Sequence, residues 1–325
     1  MLSCSSRRRP NPLLLAALVA GGAAVTAAAT LAAVRALRAT PIAPGSVVLV
    51  TGGSRGLGFS IASRFAHQPV KLVLVSRNRA DLEEAETKLL ELYPHLRPED
   101  FYLIAADLAN ADECRRVVSE TIARYGRIDV LVNNAGIITV GPVEAQTVEN
   151  FEQTMRVNFF AAFHVTWAAL PHMRSQQPLA GTRRAAIVNI ASVGGKLAVP
   201  HMLPYSAAKF ALVGFSEGLN AELYGTGVQV TTVCPGLMRT GGEAHAHFLG
   251  NIEAEKRWFN FAAKTPGLAT TPEHAANRVY QAVEQGRGEI IITPQAWMGA
   301  RIAGFAPNTV QFANALANRY VLPRG

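Results

Sequence analysis

The stretch that decides the fold is Val47-Val-Leu-Val-Thr-Gly-Gly-Ser-Arg-Gly-Leu-Gly58. Its four leading apolar residues predict a buried strand, and the residues from about Phe59 to Ala66 predict a helix. The glycines between them allow a tight turn, in which backbone N–H groups at the helix N-terminus can approach a pyrophosphate. Some glycine-rich turns merely end a strand. The stretch therefore predicts a nucleotide-binding unit only if the rest of the chain supplies a matching sheet.

Short apolar runs alternate with longer amphipathic stretches from Ser46 to about residue 295. Amphipathic stretches such as Asp81–Leu92 and Asp112–Tyr125 predict helices, and near-continuous apolar runs are typical of strands buried on both faces. This alternation indicates an α/β fold with a doubly wound parallel sheet, of the Rossmann type, as a single domain over residues 46–295. Residues 296–325 form a C-terminal extension. The strand candidates are Val47–Val50, Lys71–Val75, Phe101–Ala105, Ile128–Val132, Ala185–Ile190, Val228–Val233 and Glu289–Thr293.

Composition and charge exclude several classes of protein. With 325 residues, 49 % apolar and 17 % charged, the chain can bury a large core and is not a disordered polyelectrolyte. The formal charge of +8 includes five arginines in residues 1–45, where no acidic residue stands. No basic stripe with interleaved aromatic residues follows, so nucleic-acid binding is not expected. The three cysteines lack metal-type spacing, and His245 and His247 have no carboxylate or cysteine pattern beside them, so no metal site is expected.

An uncharged apolar segment, Leu13–Val34, stands near the N-terminus between groups of arginines. A helix of this length reaches about 33 Å, which is enough to cross a hydrocarbon core of about 30 Å. We expect a basic N-terminus at 1–12, a single hydrophobic membrane helix at 13–34 and a linker at 35–45. A cleaved export signal and a soluble or disordered leader stay open as alternatives. Paired arginines favour export, but a bulky Val-Arg-Ala-Leu-Arg follows where cleavage would be expected.

Motifs spread over residues 46–240 resemble those of the short-chain dehydrogenase/reductase family. The glycine loop has the spacing Gly-x-x-x-Gly-x-Gly, and Tyr205-Ser-Ala-Ala-Lys209 matches the catalytic Tyr-x-x-x-Lys of that family. The other matches are Asp107, Asn133-Asn-Ala-Gly136, Asn158, Ser192, Pro235-Gly236 and Thr240. The resemblance implies an oxidoreductase that interconverts a ketone or aldehyde with an alcohol by hydride transfer, with Asn158, Ser192, Tyr205 and Lys209 as catalytic residues. It also implies these cofactor-binding residues: Gly52, Ser54, Arg55, Gly56, Leu57, Gly58, Ser76, Arg77, Asp107, Leu108, Asn134, Ala135, Gly136, Tyr205, Lys209, Pro235, Gly236 and Thr240.

The chemistry of the catalytic residues agrees with that implication. Tyr205 and Lys209 are four residues apart, so they share one face of a helix. A phenol has a pKa near 10, and a nearby ammonium, together with an oxidised nicotinamide ring, is expected to lower it. Ser192 is expected to hydrogen-bond the substrate oxygen where negative charge develops. Asn158, as the resemblance implies, holds a water that links Lys209 to solvent.

The end of the second predicted strand indicates which cofactor is preferred. Relatives that prefer NAD place an acid there to bind the ribose hydroxyls. Here the strand ends in Ser76-Arg77, and Arg55 lies inside the glycine loop. Because two guanidiniums suit a 2′-phosphate, we expect the cofactor to be NADP(H).

Substrate and partners are predicted less directly. The segment after Thr240 covers the substrate in the family that this chain resembles, and here it is aromatic, with Phe248, Trp258, Phe259 and Phe261. We expect these rings to wall a site for a lipophilic carbonyl or alcohol, such as a steroid, retinoid or long-chain keto lipid; packing of the segment onto the core is the alternative. Phe159, Phe160, Phe163 and Trp167 form an aromatic stripe that suits core or a subunit interface of a homodimer or homotetramer.

The expected location is the membrane, through a single span, with the catalytic domain facing the cytoplasm. Two other functions stay open. One is a catalytically silent NADP-binding regulatory protein, and the other is an exported enzyme that acts on a small polar carbonyl.

Overall fold

A seven-stranded parallel sheet forms the centre of the computed structural model, which describes residues 39–239, 246–264 and 269–323. Every predicted strand is present, with ends shifted by at most two residues, because buried β-branched runs favour a sheet that is covered on both faces. The strands of this sheet are β1 (Val47–Thr51), β2 (Lys71–Ser76), β3 (Phe101–Ala105), β4 (Val130–Asn133), β6 (Ala185–Ile190), β7 (Val228–Pro235) and β11 (Glu289–Ile292). The short strands β5 (Thr139–Val140), β8 (Leu237–Met238), β9 (His247–Phe248) and β10 (Ala269–Thr270) pair outside it.

The strand order is β11-β7-β6-β4-β1-β2-β3, and each neighbouring pair runs parallel. The chain adds β2 and β3 on one side of β1, then crosses over and adds β4, β6, β7 and β11 on the other. Between β1 and β4 the direction of winding therefore reverses. A crevice opens at the carboxyl ends of the strands at such a reversal, and ligands of open α/β sheets bind there.

Helices cover both faces of the sheet. They are α1 (Gly56–Phe65), α2 (Arg79–Leu92), α3 (Ala111–Tyr125), α4 (Val148–Met155), α5 (Ala161–Ser175), α6 (Leu203–Glu222), α7 (Ile252–Lys264), α8 (Pro272–Gln285), α9 (Pro294–Phe305) and α10 (Pro307–Tyr320). Alternate side chains of β1 point into two different cores. Val48 and Val50 pack with α1, α2 and α8, whereas Val47 and Leu49 pack with α3, α5 and α6.

The two ends of the domain differ in part from expectation. Thr40–Gly45 is irregular, as its prolines predict, but it is fixed to the fold: Thr40 N donates to Glu284 O at 2.8 Å and Gly45 N to Pro69 O at 2.7 Å. The expected boundary at residue 296 falls inside α9, because Thr293 already caps that helix by accepting from Ala296 N at 3.3 Å.

The predicted membrane helix at 13–34 lies outside the described residues. Within the described ranges, no helix is both long enough and apolar enough to cross a membrane.

Candidate active site

The glycine loop makes a close turn from β1 into α1. Gly52 and Gly56 have positive φ values, 63° and 54°, which other residues adopt only with strain. Gly58 faces the loop so closely that a Cβ atom there would lie 2.0 Å from Gly52 O. The Arg55 side chain, at the N-cap of α1, makes no capping hydrogen bond to the described chain. The Arg55 side chain therefore leaves the first N–H groups of α1 uncapped, as an anion-binding loop requires.

The segment after β4 holds this loop in place. Asn134 Nδ2 donates to Thr51 O at 3.0 Å and to Gly52 O at 3.1 Å. Thr51 Oγ1 accepts from Asn134 N and Ala135 N, and donates to Val132 O at 3.2 Å. Asn133 points the other way, and its Nδ2 donates to Asn189 Oδ1 and Thr166 Oγ1, both at 2.8 Å. The Asn-Asn-Ala-Gly segment thus joins the glycine loop to the buried sheet.

A cavity of about 400 Å³ lies along the carboxyl ends of β1 to β4. Its walls combine exposed arginines with polar backbone, which suits an anionic nucleotide. Arg55 Nη1 lies 3.7 Å from Asp81 Oδ2, so part of the Arg55 charge is offset. The lining includes these predicted cofactor residues: Gly52, Ser54, Arg55, Ser76, Arg77, Asp107, Leu108, Asn134, Ala135 and Gly136.

A second cavity, of about 410 Å³, continues from the first toward the middle of the sheet. The two cavities share Arg55, Arg77, Asn134, Gly136 and Ile137. The second is lined by these predicted residues: Gly56, Leu57, Ser192, Tyr205, Lys209, Pro235 and Gly236. It is also lined by Ile138, Ile190, Ala191 and Met238, which were not predicted as site residues, and by His247, which the sequence analysis considered only as a metal ligand. Together the two cavities form one elongated crevice with Ser192, Tyr205 and Lys209 at one end. Asn158, the fourth predicted catalytic residue, is buried and lines neither cavity.

Ser192, Tyr205 and Lys209 meet at that end. Ser192 caps a short turn at Val193–Gly195, where its Oγ accepts from Gly194 N at 3.0 Å, and its side chain also hydrogen-bonds Tyr205. Lys209 lies one turn after Tyr205 on α6, and its Nζ donates to Ile190 O at 2.8 Å. Nζ is 5.7 Å from the centre of the Tyr205 ring. The three side chains therefore converge from β6 and α6.

Burial sets the charge of these groups. It lowers the pKa of Lys209 from 10.5 to about 8. It also raises the pKa of Tyr205 above 10, although the hydrogen bond with Ser192 opposes the rise. Lys209, turned toward Ile190 O, does not offset this rise. The lowering of the Tyr205 pKa that we expect beside an oxidised nicotinamide ring stays a prediction.

Asn158 lies in a wide helical turn, Arg156–Phe160, that interrupts the path from α4 into α5. The turn has i→i+5 geometry, with Ala161 N donating to Arg156 O. The buried Asn158 amide pairs with one residue: Oδ1 accepts from Ile137 N at 2.7 Å and Nδ2 donates to Ile137 O at 2.9 Å. Such turns often mark functional sites. Here the turn attaches the α4–α5 junction to the strand end that lines both cavities.

Some expectations do not fit this geometry. Thr240 lies outside the described residues. Phe248 is buried and packs edge-on against Phe259, with ring centres 5.8 Å apart, while Phe261 is 75 % exposed. Among the described residues, none of the four predicted aromatic rings lines the catalytic cavity. The aromatic wall is therefore wrong as predicted, because Phe248 packs inward and Phe261 faces outward.

Comparisons with known proteins agree with the fold and the motifs. A family model described as short chain dehydrogenase matches residues 46–247. A dehydrogenase/reductase SDR family protein 7-like from Anopheles gambiae is 32 % identical over 252 residues, covering 78 % of this chain and 76 % of that protein. An 11-beta-hydroxysteroid dehydrogenase A from Sesamum indicum is 32 % identical over 261 residues, covering 78 % and 69 %.

A solved structure is also similar. A short-chain dehydrogenase from Streptomyces avermitilis superimposes with a TM-score of 0.68 at 28 % identity, covering 86 % of this chain and 97 % of that one. The region that the family model matches, residues 46–247, spans the glycine loop, the Asn-Asn-Ala-Gly segment and the Tyr-x-x-x-Lys helix described above. The chain therefore belongs to the short-chain dehydrogenase family of oxidoreductases.

Proposed function

We propose that the protein is an NADP(H)-dependent oxidoreductase that interconverts a lipophilic ketone or aldehyde with its alcohol. The observation that carries the proposal is the meeting of Ser192, Tyr205 and Lys209 at one end of a crevice that runs past the glycine loop to Asp107 at its other end. A nucleotide cofactor bound along the crevice would reach both ends.

The residues fit such a cofactor. The Gly52–Gly58 contact leaves no room for a side chain and brings the backbone close to a pyrophosphate. Bound there, the nicotinamide ring supplies or accepts the hydride. Pro235 and Gly236 would contact the nicotinamide end, and Asp107 would contact the adenosine end.

In the proposed mechanism, Tyr205 and Ser192 act on the substrate oxygen. During reduction the Tyr205 hydroxyl donates its proton to that oxygen, and during oxidation the phenolate takes the proton back. The Ser192 hydroxyl hydrogen-bonds the same oxygen and stabilises its negative charge. Lys209, with a pKa near 8, holds a proton close to Tyr205 at neutral pH, and Asn158 positions the water that replenishes it.

Two arginines support NADP(H) over NAD(H). Arg55 and Arg77 line both cavities, and β2 is followed by Arg77 and Asn78 instead of an acid. Guanidinium groups bind a phosphate through paired, charge-assisted hydrogen bonds. Because Asp81 offsets part of the charge of Arg55, Arg77 carries most of the proposed selectivity.

A lipophilic substrate is supported by the lining of the catalytic cavity and by one relative's name. Leu57, Ile137, Ile138, Ile190 and Met238 surround the catalytic side chains with apolar surface. The Sesamum indicum relative is named for a hydroxysteroid. We therefore propose a steroid or a molecule of similar size and polarity.

Membrane attachment through residues 13–34, with the domain in the cytoplasm, is part of the proposal. It rests on the length and lack of charge of that segment alone. Separation of intact cells into soluble and membrane fractions, with and without a carbonate wash, tests it. Recovery of the chain in the soluble fraction contradicts it.

NADPH oxidation by the full chain in detergent tests the reaction and the substrate class. We expect turnover with steroid ketones and long-chain ketones, and little with small sugars or hydroxy acids. Preference for the small polar compounds would contradict the lipophilic site. Tight NADPH binding without turnover on any carbonyl would favour a silent regulatory protein.

A further inference from the structure

His201 and Glu255 form a buried pair outside the catalytic cluster. His201 Nδ1 and Glu255 Oε1 are 2.7 Å apart, and the two residues are only 7 % and 1 % exposed. His201 belongs to the loop between β6 and α6, and Glu255 to α7. The pair therefore joins two segments that are 54 residues apart in sequence.

Both partners belong to segments that also reach the catalytic cavity. His201 comes four residues before Tyr205, and its carbonyl accepts from Gly141 N at 2.7 Å, just after β5. α7 follows β9, whose His247 lines the catalytic cavity and pairs with Thr139 of β5. The segment 246–264 is thus attached beside the cavity at two places, the β5–β9 pairing and the His201–Glu255 pair.

The conformation at this point is costly. His201 has φ of 63°, in the left-handed region that is uncommon for residues other than glycine and asparagine. Glu255 Oε2 is buried with no hydrogen-bond partner in the described structure. An uncommon backbone conformation and a buried carboxylate with one unpaired oxygen both cost free energy, so they persist only where surrounding contacts enforce them. Features with such a free-energy cost cluster at functional sites. Burial raises the pKa of Glu255, and His201 is the group that lowers it again.

We propose that His201 and Glu255 are positioning residues that latch α7 beside the catalytic cavity and fix the turn leading to Tyr205. The kinetic part of this proposal rests on the proposed function, and the structural part does not. Without the imidazole, a buried carboxylate is left unpaired, so α7 separates from the loop more readily. An opened α7 weakens binding of a large substrate but leaves the glycine loop intact.

Two pairs of variants isolate the latch in the full chain. His201→Ala and Glu255→Leu remove it. His201→Asn and Glu255→Gln keep it, because asparagine tolerates the left-handed conformation and both amides retain a hydrogen-bonding partner. Glu253→Gln, exposed on the same helix, is the matched control.

Hydrogen–deuterium exchange of residues 252–264 is the direct readout. We expect exchange about 10-fold faster in His201→Ala and Glu255→Leu, the scale of one lost buried hydrogen bond. His201→Asn, Glu255→Gln and Glu253→Gln should stay within about twofold of the wild type, and exchange in α1 should not change in any variant.

Kinetics give the second readout. We expect KM for a steroid-sized ketone to rise by about 10-fold in the two disrupting variants, with the Kd of NADPH unchanged, because the lost contact holds the segment whose His247 lines the catalytic cavity and does not hold the glycine loop. Unchanged exchange in α7, or equal damage by His201→Asn and His201→Ala, overturns the latch. If α7 exchanges faster in the disrupting variants, but neither they nor the wild type reduce any carbonyl compound, the latch stands and the proposed function fails. A variant that loses exchange protection in every segment is unfolded and is set aside. If that variant is His201→Ala, the exchange rate of α7 in Glu255→Leu, compared with that in Glu255→Gln, decides whether the latch exists.

Discussion

Tyr205 is a phenol that the fold keeps protonated, because burial raises its pKa. A protonated phenol is the form that a carbonyl reductase needs, since the hydroxyl must donate to the substrate oxygen. Lys209, whose pKa falls to about 8, is the neighbouring group that gains or loses a proton closest to neutrality. At the scale of single residues, Tyr205 and Lys209 can therefore hold the protons that the proposed reduction requires.

The first prediction concerns Tyr205→Phe. The change removes the transferable proton and keeps the ring, so turnover should fall by at least about 100-fold, the usual scale of general acid catalysis. NADPH binding, followed by fluorescence titration, should persist. Tyr224→Phe, at a side chain that is 93 % exposed, is the control. Wild-type turnover in Tyr205→Phe would refute the mechanism.

Lys209 gives a prediction about pH. Its pKa is lower in the folded chain than in the unfolded one, so between about pH 8 and 10.5 the unfolded chain binds more protons. Stability from this residue therefore rises with pH across that window and is lowest below pH 8, where the fold must bury the cation. The size of the effect is on the order of 3 kcal/mol.

Urea unfolding of the wild type and Lys209→Met at several pH values checks this. The free energy of unfolding of the wild type, relative to that of the variant, should increase from pH 7.5 to 10.5. Groups that titrate in the window without interacting with Lys209 cancel in the difference. A difference that is flat with pH would show that Lys209 is not perturbed.

Arg77→Asp is the test of cofactor selectivity. A carboxylate beside the proposed 2′-phosphate adds repulsion to the lost hydrogen bonds, so the ratio of kcat/KM for NADPH over NADH should fall by about 100-fold or more. Arg115→Asp makes the same charge change at an exposed position on α3 and should leave the ratio unchanged. An unaltered ratio in Arg77→Asp would place the phosphate elsewhere.

At the scale of elements, the glycine loop and α1 depend on one contact. A Cβ at position 58 would lie 2.0 Å from Gly52 O and 2.5 Å from Asn134 Nδ2, so Gly58→Ala must displace the loop. We expect NADPH affinity to fall by about 10-fold or more while circular dichroism stays near that of the wild type. Gly304→Ala on α9, where nothing beyond its own helix and chain neighbours lies within 4 Å of the added Cβ, should bind normally and gain a few tenths of a kcal/mol or more in stability. Normal binding by Gly58→Ala would contradict the proposed cradle.

The elements also show what a sequence can predict. The strands were predictable because each is a short apolar run, and the crevice residues followed from motifs at strand ends. The wide turn at Asn158 was not predictable, because a single turn with i→i+5 hydrogen bonding leaves no periodic pattern of apolar residues in the sequence. The left-handed His201 was missed for a similar reason: only its contact with Glu255, distant in sequence, reveals it. The direction of the Tyr205 pKa shift depends on burial, which spacing along a helix does not encode.

At the scale of the whole molecule, α5 and α6 present an apolar face to solvent. Phe160, Trp167 and Phe210 are 42 %, 60 % and 43 % exposed, and Trp167 stacks on Phe163 with ring centres 5.4 Å apart. Exposed aromatic residues grouped in this way are typical of protein interfaces. The face therefore supports the prediction of a homodimer or homotetramer.

Light scattering on residues 40–325 measures that prediction. We expect an oligomer at micromolar concentration, and a monomer for Trp167→Glu, because a carboxylate in the interface would be buried without a partner. Phe305→Glu, on α9 and 93 % exposed in the wild type, is the matched control and should not change the mass. A wild-type chain that is strictly monomeric contradicts the interface.

The hydrogen bonds from Asn134 to the glycine loop also order the events of biosynthesis. A nascent chain that has left the ribosome only as far as α3 already carries Gly52, Gly56 and Gly58, but not the amide that fixes the Gly52 carbonyl. β1 at that stage also lacks β4, one of its two neighbours in the sheet. We therefore expect the first third of the polypeptide to bind the proposed nucleotide weakly. Tight binding is expected only after the ribosome has released the segment that follows β4.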